Sequence, residues 1–376
     1  MTAPLYANCD KPTNCDKDGN LGLWFERFFD QYDDHRHWEV LKPTTHNHQM
    51  GNAYWLLKHF SNKKVGDAKQ LASHAQAQMK LADSLQGKSH AFKASWHFVT
   101  GMGNPHPVEN GFAWHPTLGV PYLTGAAVKG LVRSYIENWL DDTQENKQQL
   151  LLQWFGSTDK NPSADGYASQ AGELVFFDAL PISPVTLVVD IMTPHMGKWY
   201  EKGGTDQAAG TAEAVPADWH DPVPVSFLAA QDITLQFSFA LRQYPNTGKR
   251  PAIELADVMD VLERALEQTG AGGKTATGYG GMIDPEKQQQ QVKALQEAAV
   301  LSDAERLEGY LKINARNQSL YLERSGQQLA FATGNKSAEL LAILPEASVK
   351  AMKAGKGVKV YAYVAKKEML KIELFE

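Results

Sequence analysis

The sequence predicts an α+β fold followed by a small, strand-rich region at the C-terminal end. Two patterns support this fold: apolar residues with helical spacing at 68–85 and 128–140, and short alternating segments typical of half-buried strands. The chain has 376 residues, of which 43% are hydrophobic, so it can form two or three domains with at least one large core. It contains no apolar run of about 18 residues and no secretory signal pattern, and we expect a cytoplasmic protein without membrane contact.

The first 88 residues divide into a polar leader and a helical region. Residues 1–20 are rich in Asp, Asn, Lys and Pro, which predicts a flexible leader. Cys9 and Cys15, both in this leader, are the only cysteines, so cysteines alone form neither a disulfide framework nor a four-thiolate metal site. Residues 21–88 predict a helical layer packed on the rest of the protein. The layer begins with an aromatic cluster of Trp24, Phe25, Phe28, Phe29, Tyr32 and Trp38.

Residues 89–285 are predicted to form the central domain. The expected elements are a strand at 92–100, a helix at 128–140, strands at 173–179, 185–192 and 233–241, and a helix ending near Thr269. In the first strand, the alternation places Trp96 and Phe98 on the apolar face. The order of elements resembles a ferredoxin-like core, the architecture also used by the RRM domain, with a large insertion at about 193–230.

The C-terminal part is predicted to contain a polar segment and a small β-rich domain. Residues 286–305 are rich in Gln and fit either a linker or a solvent-exposed helix. Residues 306–376 contain five short strand patterns around a helix near 337–344, at the low end of independently stable domain size. Seven lysines between Lys350 and Lys371 surround Tyr361 and Tyr363. Two interpretations stay open for them: a basic RNA-binding face, or solvated lysines that protect an edge strand.

The segment Gly270–Gly280 has the composition of a phosphate-binding loop. Its glycines let the main chain approach a ligand, Lys274 supplies a cation, and the ring of Tyr279 is suited to stacking on a base. A nucleoside-triphosphate loop is excluded, because that motif needs Gly five residues before Gly-Lys-Thr, where this chain has Gln268. The preceding helical spacing predicts that Gly270 ends a helix. A flexible glycine-rich connector is the alternative interpretation.

A second phosphate-suited feature is the start of the predicted helix near Thr124. Thr124 or Gly125 can serve as its N-cap, and the small residues that follow leave N–H groups open to an anion. Lys129 and Arg133 lie one turn apart, where positive charges oppose the helix dipole unless an anion lies between them. In the alternative interpretation both cations are solvated and Arg133 pairs with Glu137.

Together, the two motifs resemble the paired signatures of the RAMP superfamily, which builds type III CRISPR ribonucleoprotein effectors. The helix entry reads PYLTGAAVKGLVR, and the late loop reads GAGGKTATGYG. Two further stretches, at 189–200 and 221–228, are similar to the branch that forms the head end of the type III-B Cmr complex. The resemblance covers about Lys93 to Gly281, and the N-terminal helical layer and the C-terminal domain lie outside it.

The resemblance implies a noncatalytic subunit that binds guide RNA and the guide–target duplex near the guide 3′ end, without a cofactor, in antiviral defence. The implied protein partners are other Cmr subunits: the backbone RAMP subunit, the other head RAMP subunit and the small helical subunit. Residues 193–200 resemble the base of a thumb-like insertion laid across the duplex, although aromatic residues there also fit a role in closing the core. The RNA-contacting or loop-shaping residues that the resemblance implies are Gly125, Ala126, Lys129, Gly130, Arg133, His195, Lys198, Trp199, Gly272, Gly273, Lys274, Thr275, Thr277 and Tyr279.

Two other functions remain open from the residues. A metal-independent endoribonuclease on the same fold would use His106 or His195 as general base, but no acid–base partner is recognisable at either position. An assembly adaptor without RNA contact would suit the net charge of −6. The pairs His35/His37 and His46/His48 lack carboxylates at ligand spacing, so we predict no metal site.

Overall fold

A computed structural model describes residues 14–16, 19–33, 39–44, 48–158, 169–203, 205, 210–212, 215–216, 222–243, 253–302, 304–314, 317 and 319–374. Several residues singled out in the sequence lie outside these ranges: Cys9, His35, His37, Trp38, His46 and Asp221. The chain divides into two compact units, residues 1–285 and 286–376. No helix among the described residues is both long and apolar enough to cross a membrane.

The first unit combines seven α-helices and nine strands within its described residues. In chain order they are α1 (Leu21–Arg27), α2 (Gly51–Phe60), β1 (Lys64–Val65), α3 (Ala68–Ser84), β2 (Lys88–Ala94), β3 (His97–Phe98), α4 (Gly125–Asn138), α5 (Gln144–Phe155), β4 (Leu174–Phe176), β5 (Leu180–Pro181), β6 (Val185–Met192), α6 (Gly197–Lys202), β7 (Val225–Gln231), β8 (Thr234–Leu241), α7 (Leu255–Gln268) and β9 (Met282–Ile283).

The main sheet of this unit has the strand order β4-β8-β2-β9, and β5 pairs with β8 as well. All of these pairs are antiparallel. Helix α3 covers one face, where the Gln236 side chain donates to the Ala75 carbonyl and to the Gln78 side chain. Phe237 and Phe239 point to the opposite face by strand alternation, and both are fully buried. The α+β class predicted from the sequence is therefore confirmed, with antiparallel sheets.

A second sheet of the first unit has the order β1-β6-β7-β3 and packs against α2. Here the structure differs from the expected continuous strand at 92–100. Residues Ser95 and Trp96 form a bend, after which the chain enters the second sheet as β3. Because the bend breaks the alternation, Trp96 is 48% exposed, whereas Phe98 is buried as expected.

Three further differences concern helices and the insertion. Strand β7 lies within the expected insertion at 193–230 and pairs with β6 along its length, so the insertion between the two strands is shorter. Helix α5 was not expected, and its polar sequence lacks a clear apolar stripe. Trp139, assigned by its spacing to the apolar stripe of α4, is 61% exposed because the helix ends at Asn138.

The N-terminal helical layer joins the core through aromatic rings. Phe25, Trp55 and Phe60 are at most 1% exposed and belong to the same cluster as the sheet residues. The ring of His106 stacks on Phe25 with a centroid distance of 4.0 Å. The aromatic cluster predicted from the sequence is therefore a real part of the core for its described members.

The second unit is a helix followed by a closed five-stranded barrel. Its elements are α8 (Pro285–Ser302), β10 (Glu305–Ile313), β11 (Leu320–Arg324), β12 (Gln327–Ala332), α9 (Gly334–Ala342), α10 (Glu346–Lys353), β13 (Val358–Ala365) and β14 (Glu368–Leu374). The strand order around the barrel is β10-β11-β12-β14-β13. All five strand patterns expected from the sequence are present, the Gln-rich segment is a helix, and α10 was not expected.

Candidate nucleic-acid interface

The glycine loop starts where α7 ends, as the sequence predicted. Thr269 and Gly270 both donate their N–H groups to the carbonyl of Ala265. Gly270 has a φ of +71°, the left-handed conformation that glycine adopts readily at helix ends. The loop after α7 is therefore a defined turn with bonded main-chain groups.

Main-chain hydrogen bonds hold the loop against β3 and the residue after it. The N–H of Gly273 donates to the carbonyl of Val99 at 2.7 Å, and that of Gly280 donates to the carbonyl of His97 at 2.8 Å. The loop closes on itself through the N–H of Ala271 and the carbonyl of Gly280 at 2.9 Å. A Cβ on Gly272 would overlap the Val99 carbonyl oxygen, so the close approach requires glycine there.

Lys274 lies in the middle of this loop, in the left-handed conformation with a φ of +57°. Its ammonium group lies 5.2 Å from the ring centre of Phe227 and 5.8 Å from that of Tyr279. It also lies 3.9 Å from the sulfur of Met192. None of the ion pairs found among the described residues involves Lys274. The cation is half-buried over these neutral groups, and within the described part of the chain no carboxylate contact compensates its charge.

The ring of Tyr279 is not free to stack on a base, in contrast to the sequence expectation. Tyr279 is only 5% exposed, and its hydroxyl donates to Oδ2 of Asp190 at 2.6 Å. Burial and the Asp190 carboxylate raise the pKa of Tyr279 far above its usual value, so the hydroxyl keeps its proton. Tyr279 therefore joins the glycine loop to β6 through this hydrogen bond.

The exposed ring beside the loop is Trp96. Its ring centre lies 4.6 Å from that of Tyr279 and 4.6 Å from that of His97, on which it stacks. His97 Nδ1 in turn lies 3.5 Å from Oδ2 of Asp190. Sequence reasoning assigned Trp96 to a strand face and missed Asp190, because neither residue stands inside the glycine motif.

The Tyr279–Asp190 contact predicts a pH-dependent contribution to stability. Burial alone would raise the pKa of Asp190, but hydrogen bonds from the Tyr279 hydroxyl and the Ile191 N–H, together with the nearby His97 imidazole, outweigh it and lower that pKa. A lowered carboxyl pKa stabilises the fold above the unfolded-state pKa, and this contribution is lost as pH falls through the folded-state pKa. We expect Tyr279→Phe to lower the free energy of unfolding by about 1–2 kcal/mol near pH 7.

Urea unfolding of both proteins from about pH 7 down to about pH 3 checks this prediction. The difference between wild type and Tyr279→Phe is expected to shrink only below the usual pKa of an aspartate. A difference that stays constant into acid, or grows there, would contradict the charged hydrogen bond.

The start of α4 is capped by groups of the chain itself. Thr124 is the N-cap, and its hydroxyl accepts the N–H of Ala127 at 3.2 Å. The N–H of Gly125 donates to Oδ1 of Asp178 at 2.6 Å. The helix entry is therefore not the open anion site that the sequence predicted, since a carboxylate already occupies the positive end of the helix dipole.

The two cations of α4 differ in their surroundings. Arg133 pairs with Glu137 at 2.8 Å, which is the alternative that the sequence left open for it, and its guanidinium lies 5.9 Å from the ring centre of Phe155. Lys129 is exposed, and no ion pair found among the described residues includes it. Ala126 and Gly130 are also exposed on this helix. Of the two cations, Lys129 is the one available to a ligand.

Residues Val99 and Thr100 connect the helix entry to the glycine loop. Val99 accepts the N–H of Gly273, and the hydroxyl of the adjacent Thr100 donates to the carbonyl of Tyr122 at 3.0 Å. Tyr122 stands two residues before the N-cap of α4. The structure therefore brings both sequence motifs to the same short stretch after β3.

The segment 193–200 continues β6 beyond the point where it contacts the loop. Lys198 and Trp199 lie in the short helix α6, where the Trp199 ring packs edge-on against that of Tyr200, with centroids 5.0 Å apart. Tyr200 is 71% exposed. Nδ1 of His195 is buried and has no hydrogen-bond partner among the described residues. Asp190 and Met192 thus link the glycine loop to this segment through a single strand.

The two ring nitrogens of His106 are both engaged in the fold. Nε2 donates to the Phe25 carbonyl at 2.9 Å, and Nδ1 accepts the N–H of Val108 at 3.2 Å. Burial lowers the pKa of His106, although the bond to Phe25 acts in the opposite direction. Within the described residues, no group of three His, Cys, Asp or Glu side chains is placed to hold a metal ion.

A cleft of about 820 Å³ lies in the N-terminal layer, lined among others by Lys58, Lys63 and Lys64. None of the RNA-contacting residues implied by the sequence lines it. The candidate interface is instead the open surface formed by the glycine loop, Trp96 and the end of β6.

Comparison with known proteins identifies similar chains. The model of the RAMP superfamily matches residues 91–282, about half of this chain. The CRISPR system Cmr subunit Cmr6 of Pyrococcus furiosus is 26% identical over a match that covers 54% of this chain and 70% of that protein. The Cmr6 subunit of Saccharolobus solfataricus is 29% identical over 24% of this chain and only 27% of that protein.

Solved structures give weaker likenesses. A type III-B Cmr-beta complex bound to cognate target RNA contains a chain with a TM-score of 0.40 and 19% identity, over 58% of this chain and 66% of that one. The crystal structure of Cmr6 from Pyrococcus furiosus has a TM-score of 0.29 and 23% identity, over 53% of this chain and 97% of that one.

Proposed function

This chain belongs to the RAMP superfamily, and we propose that it is a noncatalytic, guide-RNA-binding subunit of a type III-B CRISPR effector complex. Its sequence likeness to Cmr6 subunits supports the proposal that it is a subunit of this complex. The partners that follow are guide RNA, target RNA and the other Cmr subunits, among them the backbone RAMP subunit, the other head RAMP subunit and the small helical subunit. The activity would serve antiviral defence.

The observation that carries the proposal is the structure around Lys274. Its ammonium group lies over the rings of Phe227 and Tyr279 and forms no ion pair found among the described residues. A cation held in this way keeps its attraction for a phosphate, because no carboxylate of the described residues pairs with it and competes with the ligand. The same loop is shaped by Gly272, Gly273, Thr275 and Thr277. The hydroxyl of Thr277 donates a hydrogen bond to the main-chain carbonyl of Lys274.

Trp96 extends the proposed contact from phosphates to bases. Its ring is 48% exposed and is held in place by His97 and Tyr279. An exposed indole next to a cation suits a splayed RNA base stacked on an aromatic face. In the proposed complex, Trp96 takes the stacking role that the sequence assigned to Tyr279, and Tyr279 positions the loop.

The segment after β6 is proposed to contact the guide–target duplex. The end of β6 touches Lys274 through Met192, so RNA on the loop would pass close to His195, Lys198 and Trp199. Exposed Tyr200 adds an aromatic surface there. On α4, exposed Lys129 would contact a phosphate, whereas Gly125, Ala126, Gly130 and the paired Arg133 would act by shaping the helix entry.

We interpret the main sheet as the ferredoxin-like core of this superfamily. Its order β4-β8-β2-β9 supports the interpretation, because α4 connects β2 to β4 and α7 connects β8 to β9. In this interpretation, β5, β6 and β7 are additions between the second and third strands of the core. The glycine loop then follows the second core helix and lies beside the last core strand.

An endoribonuclease on the same fold is the main alternative. His106 is poorly suited as a general base, since both of its nitrogens are bonded within the chain. His195 keeps a buried nitrogen without a partner among the described residues, so the alternative depends on this residue. An adaptor without RNA contact is the third possibility.

One experiment separates these functions. Labelled guide RNA is incubated in chelator with the purified protein, alone and with its partner subunits, using wild type, Lys129→Ala, Lys274→Ala and the control Lys80→Ala on the exposed side of α3. We expect full-length RNA throughout, and about 3- to 10-fold weaker binding for Lys129→Ala and Lys274→Ala only. Shortened RNA would support the endoribonuclease, and absence of RNA binding by all four proteins would support the adaptor. Equal binding by all four proteins would contradict the phosphate contacts proposed for Lys129 and Lys274.

A further inference from the structure

The C-terminal barrel has the topology of an OB-fold. Five strands close in the order β10-β11-β12-β14-β13, β12 and β14 pair in parallel, and α9 and α10 stand between the third and fourth strands. OB-fold barrels bind oligonucleotides and oligosaccharides on the face of their second and third strands, beside the loops that follow strands one and four. Because fold alone does not establish function, the residues on that face have to carry the inference.

The outer face of β11 and β12 carries an aromatic pair. Tyr321 and Phe331 are direct cross-strand partners, and the neighbours of Tyr321 along the strand, Leu320 and Leu322, are buried inside the barrel. Strand alternation therefore turns both rings outward, and Phe331 is 38% exposed. On the other side of β11, Lys312 of β10 is the cross-strand partner of Tyr321.

The turn between β13 and β14 places two lysines next to this pair. Phe331 donates its N–H to the carbonyl of Lys367 at 3.0 Å. Lys366 and Lys367 have φ values of +50° and +69°, which only glycine, asparagine and aspartate adopt readily. The sequence has two lysines where the hairpin geometry favours Asn-Gly, so the backbone of the turn is strained. Backbone strain of this kind is typical of functional positions, and it points to a role for the two lysine side chains.

The charges of the unit favour an anionic ligand. Residues 286–376 contain 14 Lys and Arg against 11 Asp and Glu, whereas the whole chain has a net charge of −6. Near the aromatic pair, Glu323 is neutralised by Lys312 at 2.7 Å, and Glu368 is the register partner of Phe331. No ion pair found among the described residues engages Lys366 or Lys367.

We propose that the outer face of β11 and β12, together with the Lys366–Lys367 turn, binds single-stranded nucleic acid. The rings of Phe331 and Tyr321 stack two successive bases, and the two lysines contact the phosphates that follow. The site is separate from the glycine loop and does not depend on the function proposed for it. It gives the chain a second contact to an unpaired strand.

Binding of fluorescent ten-nucleotide uridine RNA and of the thymidine DNA of equal length to the full chain tests the proposal. We expect Phe331→Ala to weaken binding by about 5- to 100-fold, the range for loss of one stacked base. If Phe331→Ala weakens the binding of RNA and DNA equally, recognition depends on stacking and charge. If it weakens only RNA binding, contacts to the 2′-hydroxyl contribute as well. Both outcomes support the site.

A pair of double variants separates the site from general charge and from misfolding. Lys366→Asn/Lys367→Gly relieves the turn, so we expect a higher melting temperature together with weaker binding. Lys350→Ala/Lys353→Ala removes the same charge from α10 and is expected to leave binding within about 2-fold.

Wild-type affinity in Phe331→Ala would overturn the proposal. Equal losses in both double variants would overturn it as well, by showing that binding depends on general charge. Absence of measurable oligonucleotide binding by the wild-type chain at low salt would overturn it as well. Guide-RNA binding by Lys274→Ala is measured in the same series. Unchanged binding in that variant would show that the glycine-loop proposal fails, independently of the result for the barrel site.

Discussion

Gly272→Ala is expected to lower the free energy of unfolding of the first unit by about 2–4 kcal/mol. Two costs add at this position. The residue has a φ of +89°, which an L side chain rarely adopts, and its Cβ would overlap the Val99 carbonyl oxygen. Moving Val99 aside also breaks its hydrogen bond from Gly273, which holds the loop against the end of β3. Urea unfolding followed by tryptophan fluorescence measures the loss.

Gly278→Ala is the matched control. Gly278 has a φ of +92°, almost the same as Gly272, but a Cβ there meets nothing within 4 Å. It therefore carries the backbone cost alone, about 1–2 kcal/mol. Equal losses in the two variants would show that the contact with Val99 does not determine the loop conformation, and would remove the physical basis for its fixed shape.

His106→Ala is expected to destabilise the fold by about 2–4 kcal/mol without changing RNA length. The imidazole stacks on Phe25 at 4.0 Å and bonds to its carbonyl and to the N–H of Val108. Removal leaves a cavity and two unpaired main-chain groups between the helical layer and the core. Thermal unfolding and incubation with labelled RNA give the two readouts.

His74→Ala serves as the control for this prediction. His74 is exposed on α3, so its loss is expected to change stability by about 0.5 kcal/mol or less. If His106→Ala unfolded like wild type but abolished an RNA-shortening activity of the wild-type protein, His106 would be a general base, and the structural role derived for it would be wrong.

Sequence patterns predicted the framework of this protein well because its helices and strands are long and periodic. Strand β6 has the bounds expected for it, Val185–Met192, and α7 ends one residue before the expected C-terminal end. The five barrel strands were also predicted. Helix α5 was missed because its exposed, glutamine-rich turns carry little periodic signal.

The interface was predicted in part, since its motif residues are local but their partners are distant in the chain. Tyr279 was recognised as important, yet its role depends on Asp190, 89 residues away. The prediction of an open anion site at the start of α4 was wrong, because the carboxylate of Asp178, 53 residues after Gly125, already accepts the N–H of Gly125 there. Trp96 was misassigned because a two-residue bend ends the alternation that placed it inside. No local pattern reports these contacts.

The most direct test of the central claim is the salt dependence of guide-RNA binding by wild type and Lys274→Ala. Removing one cation that neutralises a phosphate of a single strand makes the plot of log affinity against log salt less steep by about 0.7. We predict that Lys274→Ala binds more weakly with a slope reduced by about this amount, whereas Lys80→Ala keeps the wild-type slope. An unchanged slope and affinity in Lys274→Ala would contradict the claim that the glycine loop contacts the RNA backbone.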